Sequence, residues 1–109
     1  MTASKMVTID PTEPVSFRVE VGNGMPGGTA WHFVDESGKI TTEEVTLSGD
    51  LQFNTLFCTT TVEDNNPLTN RTAVTYHIRN GGSERSFPFT FTLPDKSRFV
   101  SYILDFTFI

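Results

Sequence analysis

The sequence predicts an all-β protein, and more specifically a single-domain antiparallel β-sandwich of about seven or eight strands. The chain contains ten Phe and seventeen Thr residues, and aromatic and β-branched side chains suit the pleated surface of a strand. Apolar residues also recur at every second position in several stretches, which is the period of a half-buried strand. With 109 residues, the whole of 1–109 fits one domain with one core.

Eight stretches carry this strand pattern. The clearest begins after Pro14, where Val15, Phe17, Val19 and Val21 share one face. The predicted strands cover residues 5–9, 14–21, 29–34, 38–47, 51–62, 72–79, 85–93 and 98–109. Their number and spacing favour an immunoglobulin-like or jelly-roll arrangement.

Three local features refine this prediction. The segment Asn-Gly-Gly-Ser at 80–83 predicts a hairpin, because Asn and Gly accept the positive φ angles of tight turns. Pro88 lacks a backbone N–H group, which predicts an edge strand or a bulge. The alternation through Phe106 and Phe108 continues to the end of the chain, and termini fray unless they are tied down. We therefore expect a central last strand, or one covered by a partner.

A Gly-x-Gly-x-x-Gly motif is present at Gly22, Gly24 and Gly27. A dinucleotide-binding fingerprint also needs a helix that starts at this loop, because the helix N-terminus holds the pyrophosphate. Gly28 stands where that helix would begin, and a strand-like run follows it. The motif therefore predicts a connection between two strands, with a ligand-contacting loop as the alternative.

Composition excludes several classes of protein. The net charge of −5 argues against a nucleic-acid partner, which requires a basic surface. Cys58 is the single cysteine, so no intramolecular disulfide can form. No apolar run has the length of a membrane span, and the first residues lack the apolar region of a signal peptide. The default expectation is a cytoplasmic protein, and a secreted location stays open.

No catalytic residue, metal ligand or cofactor is predicted. The spacing of Cys58, His32 and His77 matches no nucleophile–base arrangement and no zinc motif. Cys58 is predicted to be a small buried apolar residue. Both histidines alternate with the apolar residues of their strands, so their side chains are predicted to face outward. Calcium is an alternative, because oxygen-rich side chains cluster in two turns; these are Asp35, Glu36, Glu63, Asp64, Asn65 and Asn66.

The function that these observations favour is a non-enzymatic binding or protein-interaction module with a protein or glycan partner. Its end loops, 22–28 and 63–70, and its strand edges would form the contacts, because loops on a rigid scaffold often carry binding. The candidate ligand-binding residues are Asn23, Met25, Trp31, Asp64, Asn65 and Asn66.

Three alternatives stay open. A lectin-like sandwich, with or without calcium, would use Trp31 as a stacking platform for sugar rings. A structural role as a subunit of a homo-oligomer would explain the aromatic C-terminal strand. A small hydrolase would require a concave pocket with convergent polar groups, and the sequence supplies no such constellation.

Overall fold

Two β-sheets pack face to face in the computed structural model, which describes residues 1–34, 40–41, 53–95 and 97–109. The described residues form no helix, so none spans a membrane as a long apolar helix would. The strands are β1 Thr2–Val7, β2 Val15–Val21, β3 Gly27–Val34, β4 Ile40–Thr41, β5 Thr55–Glu63, β6 Arg71–Asn80, β7 Ser83–Thr92 and β8 Phe99–Phe108.

The larger sheet has the strand order β1-β8-β5-β3-β4, and the smaller sheet has the order β2-β6-β7. All-β architecture and the β-sandwich are thus confirmed. The prediction of a wholly antiparallel fold is wrong at one pair, because β1 runs parallel to β8, with Thr2 opposite Ile103 and Val7 opposite Phe108. A parallel pair needs a long crossover, and here nearly the whole chain separates the two strands.

Alternation of side chains along the strands builds the core. On β8, Val100, Tyr102, Leu104, Phe106 and Phe108 all face inward and are buried, as the sequence period predicts. β8 lies between β1 and β5, which confirms the central position expected for the last strand. Both of its edges are paired, so the chain end is held in the sheet.

Aromatic rings from both sheets fill the space between them. Phe106 of β8 lies 5.4 Å from Phe87 and 5.7 Å from Tyr76, measured between ring centroids. Trp31 lies 5.1 Å from Phe17 and meets Tyr76 edge-on at 6.1 Å. Tilted and edge-to-face pairs at these distances are favourable beyond the area they bury.

Two tyrosine–threonine hydrogen bonds also join the sheets. The Tyr76 hydroxyl on β6 donates to Thr60 Oγ1 on β5 at 2.6 Å. The Tyr102 hydroxyl on β8 is hydrogen-bonded to Thr72 on β6, and Thr72 also reaches the carbonyl of Phe91 at 2.7 Å. Each sheet therefore supplies one tyrosine and one threonine to bonds that cross the core.

The glycine-rich segment after β2 is a tight turn. Asn23 and Gly24 have φ angles of 59° and 67°, and the Met25 N–H group donates to the carbonyl of Gly22 at 3.3 Å. Two successive positive φ angles are typical of a type I′ turn. The turn leads from β2 in one sheet to β3 in the other, so the predicted strand connection is confirmed.

The predicted hairpin joins β6 and β7. Asn80 lies opposite Ser83, which leaves Gly81 and Gly82 as the two central residues. Gly81 has a φ of 59° and Gly82 has no positive φ, the pattern of a type II′ turn. Pro88 lies on β7, an edge strand of the smaller sheet, as expected for a residue without an N–H group.

One predicted strand lies mostly outside the described residues. Only Ile40 and Thr41 of the stretch 38–47 are described, and they form β4 beside β3. Asp35 and Glu36, two residues of the calcium alternative, also lie outside the described part of the chain.

Candidate functional site

A cleft of about 470 Å³ lies at the end of the sandwich that carries the β6–β7 hairpin. We call it the end cleft. Its apolar part is formed by Val7, Ile9 and Ile78, all of them buried core residues. The charged side chains that line it are Asp10, Glu13 and Arg85.

Asn80 fixes the shape of the end cleft by tying the segment between β1 and β2 to the hairpin. Its side-chain oxygen accepts a hydrogen bond from the Asp10 N–H group at 2.7 Å. Its amide nitrogen donates to the carbonyls of Asp10, Glu13 and Pro14 at 3.2–3.3 Å. The Gly81 N–H group also donates to Pro14 at 3.3 Å. Hydrogen bonds within the protein therefore preform this wall of the cleft.

The charged groups on the two sides of the end cleft have different contacts. Thr12 donates to Asp10 Oδ1 from its hydroxyl at 2.6 Å and from its N–H group at 2.9 Å. These bonds lower the pKa of Asp10 below its usual value, so Asp10 carries a negative charge at neutral pH. On the other side, the Arg85 guanidinium stacks 5.2 Å from the centroid of the Phe87 ring. The cleft thus carries both signs of charge.

The two loops predicted to bind a ligand meet at the opposite end of the sandwich. The Asn23 side chain donates to the carbonyl of Arg71 at 2.6 Å, and the Asn66 side chain donates to the carbonyl of Asn23 at 3.0 Å. Asp64 accepts the Asn66 N–H group at 3.2 Å, and Asn65 is exposed. These polar groups hold the loops to each other, and ligand binding there stays a prediction.

Two of the predicted binding residues face the core. Trp31 is 3% exposed and Met25 is 5% exposed. A stacking platform for a sugar needs an exposed ring, so the burial of Trp31 removes the main support for the lectin-like alternative. The alternation of β3 explains this position, because Trp31 pairs with the buried Cys58 and points to the same side of the sheet.

Metal binding gains no support from the described part of the chain. No three His, Cys, Asp or Glu side chains come together there in a way that could hold a metal ion. Near the proposed calcium turn, Glu63 instead pairs with Arg98 at 3.3 Å.

A second polar cluster lies on the outer face of the smaller sheet, around His77. His77 Nδ1 is 2.7 Å from the Ser86 hydroxyl and 3.4 Å from a Glu84 carboxylate oxygen. His77 Nε2 is 3.2 Å from a Glu20 oxygen. Arg18 extends the cluster by pairing with Glu84 at 3.6 Å.

The order Ser86–His77–Glu20 has the contacts of a nucleophile, a base and an orienting acid. Two features argue for a polar surface network instead. The Glu84 carboxylate competes with Ser86 for the same ring nitrogen, and the adjoining hollow of about 260 Å³ is not lined by Ser86. The predicted outward direction of His77 is consistent with this cluster, although its neighbours leave the side chain only 13% exposed.

Cys58 is fully buried in β5, as the sequence predicts. Burial raises the pKa of its thiol to about 12, from a usual 9.0, against smaller opposite effects of hydrogen bonds from Thr60 and Tyr76. The thiolate is the nucleophilic form of cysteine, and it is suppressed here at neutral pH.

We expect native Cys58 to react with a thiol reagent such as DTNB at least about 100-fold more slowly than the unfolded chain, since the pKa difference lowers the thiolate fraction by more than that. The pKa of Cys58 is higher in the folded chain than in the unfolded chain, so its contribution to the free energy of unfolding depends on pH. The contribution is fully present below about pH 9 and is lost as the pH rises toward 12. Reaction rates with and without denaturant measure the effect, and Cys58→Ser gives the blank. Equal rates in both states would contradict the buried position.

Sequence reasoning missed the end cleft. Its walls come from residues 7–13 and 78–85, which are distant in the chain and meet only when β2 pairs with β6. The one available signal was the hairpin at 80–83, which marks an end of the sandwich. No protein-family model, curated protein or solved structure matches the chain.

Proposed function

We propose that this protein is a non-enzymatic binding module whose ligand occupies the end cleft. The observation that carries the proposal is the cleft itself, which has an apolar floor and a charged rim. Its volume of about 470 Å³ lies within the range of roughly 300–1,000 Å³ that is typical of ligand sites, and such sites combine an apolar lining with few polar groups.

The rim suggests the chemistry of the ligand. Arg85 takes part in no ion pair among the described residues, and its guanidinium lies 5.2 Å from the centroid of the Phe87 ring. Such a guanidinium suits a carboxylate, which it can bind through two parallel N–H groups. We therefore propose a ligand with an apolar body and a carboxylate, such as a segment of a partner protein that carries an acidic residue or its C-terminus.

The fold supports an end site of this kind. Of the two sandwich types that the sequence predicts, the immunoglobulin-like one stays a proposal: β2 and β3 lie in different sheets, as strands B and C do in that fold, whereas β1 and β2 do not share a sheet as strands A and B do. Immunoglobulin-like sandwiches gather their loops at two ends. The end cleft lies at one of them, opposite the loops first expected to bind.

A substitution at Gly82 tests the site. A Cβ atom at Gly82 would meet no atom within 4 Å and the residue has no positive φ, so Gly82→Trp should fold and should place a ring at the mouth of the cleft. Leu68→Trp is the control, because Leu68 is 90% exposed at the other end. The probes are a panel of short acidic peptides and aliphatic carboxylic acids, screened by NMR amide shifts.

We expect a binding probe to shift the amides of Gly81, Gly82 and Ser83, and to bind Gly82→Trp at least about tenfold more weakly than wild type, the effect of a modest steric clash. The Leu68 variant should bind as wild type does. Shifts confined to 22–28 and 63–70 would overturn the end cleft in favour of the opposite loops. Equal binding by Gly82→Trp would also overturn it.

A further inference from the structure

We propose that a second copy of this chain docks on the outer surface of the larger sheet. We call this surface the β8 face. It consists of the outward residues of the three neighbouring strands β1, β8 and β5, which are Thr2, Ser4, Met6, Thr55, Phe57, Thr59, Thr61, Glu63, Phe99, Ser101, Ile103, Asp105 and Thr107. The proposal concerns a different surface from the end cleft and does not depend on it.

Large apolar side chains are exposed on the β8 face. Met6 is 65% exposed, Phe99 is 61% exposed and Ile103 is 50% exposed. Phe57 also reaches this surface. Single exposed apolar residues are common on proteins. Here four of them share one sheet face, spread from Phe99 at one end of β8 to Met6 beside Thr107 at the other, and this concentration favours an interaction surface.

No Lys or Arg occupies an outward position of the β8 face on β1, β8 or β5. Its outward positions on β1, β8 and β5 include only two charged side chains, Glu63 and Asp105. Glu63 pairs with Arg98 at 3.3 Å, and Asp105 accepts a hydrogen bond from the Ser4 hydroxyl at 2.7 Å. Threonine and serine hydroxyls supply most of the remaining polar groups, and they can lose water at a modest cost when paired.

The size of the face is close to that of a small interface between two proteins. The ten residues of β8 span about 33 Å, and three neighbouring strands spaced by about 4.8 Å span about 14 Å. The flat projection is therefore about 460 Å², before side-chain relief is added. A standard interface buries about 800 Å² on each partner, so one face-to-face contact would use the whole of this surface.

The residue order along β8 favours a second copy as the occupant. Ile103 lies near the middle of the strand, with Phe99 four residues before it and Thr107 four residues after it. A twofold axis through Ile103, in the plane of the interface and across the strands, places Ile103 against its own copy. Phe99 then lies over Thr107 of the other chain and beside that chain's Met6, which pairs with Thr107 in register.

The same axis separates the acidic groups. Asp105 lies two residues beyond Ile103, so it meets Ser101, which lies two residues before it. Glu63 is level with Phe99 on β5, so it meets Thr55, which is level with Thr107. Each carboxylate therefore faces a hydroxyl, and no like charges are opposed. A self-complementary patch of this kind is what a twofold dimer requires.

The test is the mass of the full chain in solution, measured by light scattering over a concentration series from about 1 μM to 1 mM. We expect a dimer. Ile103→Asp opposes two carboxylates at the axis and should weaken dimerisation by about 30-fold or more, the effect of losing a central contact. Leu68→Asp, which adds the same charge in an exposed loop, should leave the dimer intact. Far-UV circular dichroism checks that both variants fold.

A mixing experiment tests the axis itself. Ile103→Lys alone should also be monomeric, because two ammonium groups would be opposed. An equimolar mixture of Ile103→Asp and Ile103→Lys should restore the dimer, because each carboxylate then meets an ammonium group. A wild-type monomer at every concentration would overturn the proposal and leave a different protein as the occupant of the β8 face. Failure of the mixture to dimerise would overturn the axis through Ile103.

Discussion

Phe106→Ala is expected to lower the free energy of unfolding by about 3–5 kcal/mol, the cost of deleting a buried phenyl ring from a packed core. Phe106 is fully buried. Its ring lies 5.7 Å from Tyr76 on β6 and 5.4 Å from Phe87 on β7. The cavity would therefore open between the two sheets, where neither sheet can move inward without disturbing the contacts of the other.

Urea unfolding followed by circular dichroism measures this loss. Phe53→Ala is the control, since Phe53 is 77% exposed and its truncation should change the free energy of unfolding by less than about 1 kcal/mol. A small domain has only about 5–15 kcal/mol of stability. If Phe106→Ala does not fold, Phe106→Leu should still fold with an intermediate loss. A loss below about 1 kcal/mol for Phe106→Ala would contradict the packing between the sheets.

The sequence contained most of the information about individual strands. Alternation identified the buried side of β2 through Val15 and Phe17, and the buried side of β8 through Phe106 and Phe108. The hairpin at 80–83 also sets the register of β6 and β7, because Asn80 opposite Ser83 places His77 opposite Ser86. Short-range chemistry determines these features, so a single sequence is enough to predict them.

Local sequence patterns could not predict how the strands are divided between the two sheets. Nothing local in Thr2–Val7 indicates that β1 pairs in parallel with β8, because that pairing depends on the path of the whole chain. The end cleft was missed for the same reason, since Asn80 assembles it by bonds to Asp10 and Glu13. Trp31 was expected near a ligand because an indole ring can stack on one. Its position in the alternation of β3 instead turns the side chain into the core.

The second large effect is expected at the hydrogen bond between Tyr76 and Thr60. Thr60→Val removes the acceptor of the buried Tyr76 hydroxyl, which lies 2.6 Å from Thr60 Oγ1, and also the hydroxyl partner of Thr29 at 2.9 Å. A buried donor left without an acceptor costs about 1–3 kcal/mol. Burial raises the pKa of Tyr76 well above its usual value, so the hydroxyl keeps its proton and cannot escape the cost by ionising near neutral pH.

A double-mutant cycle isolates this bond. Tyr76→Phe alone should cost about 1 kcal/mol, because it removes the donor while Thr60 keeps its bond to Thr29. The double variant, Tyr76→Phe with Thr60→Val, should be more stable than the sum of the two losses predicts, by about 0.5–3 kcal/mol, the range for residues in direct contact. Urea unfolding of the four proteins gives the coupling. Additive losses would show that the hydroxyl finds another acceptor, and that this bond does not tie the two sheets together.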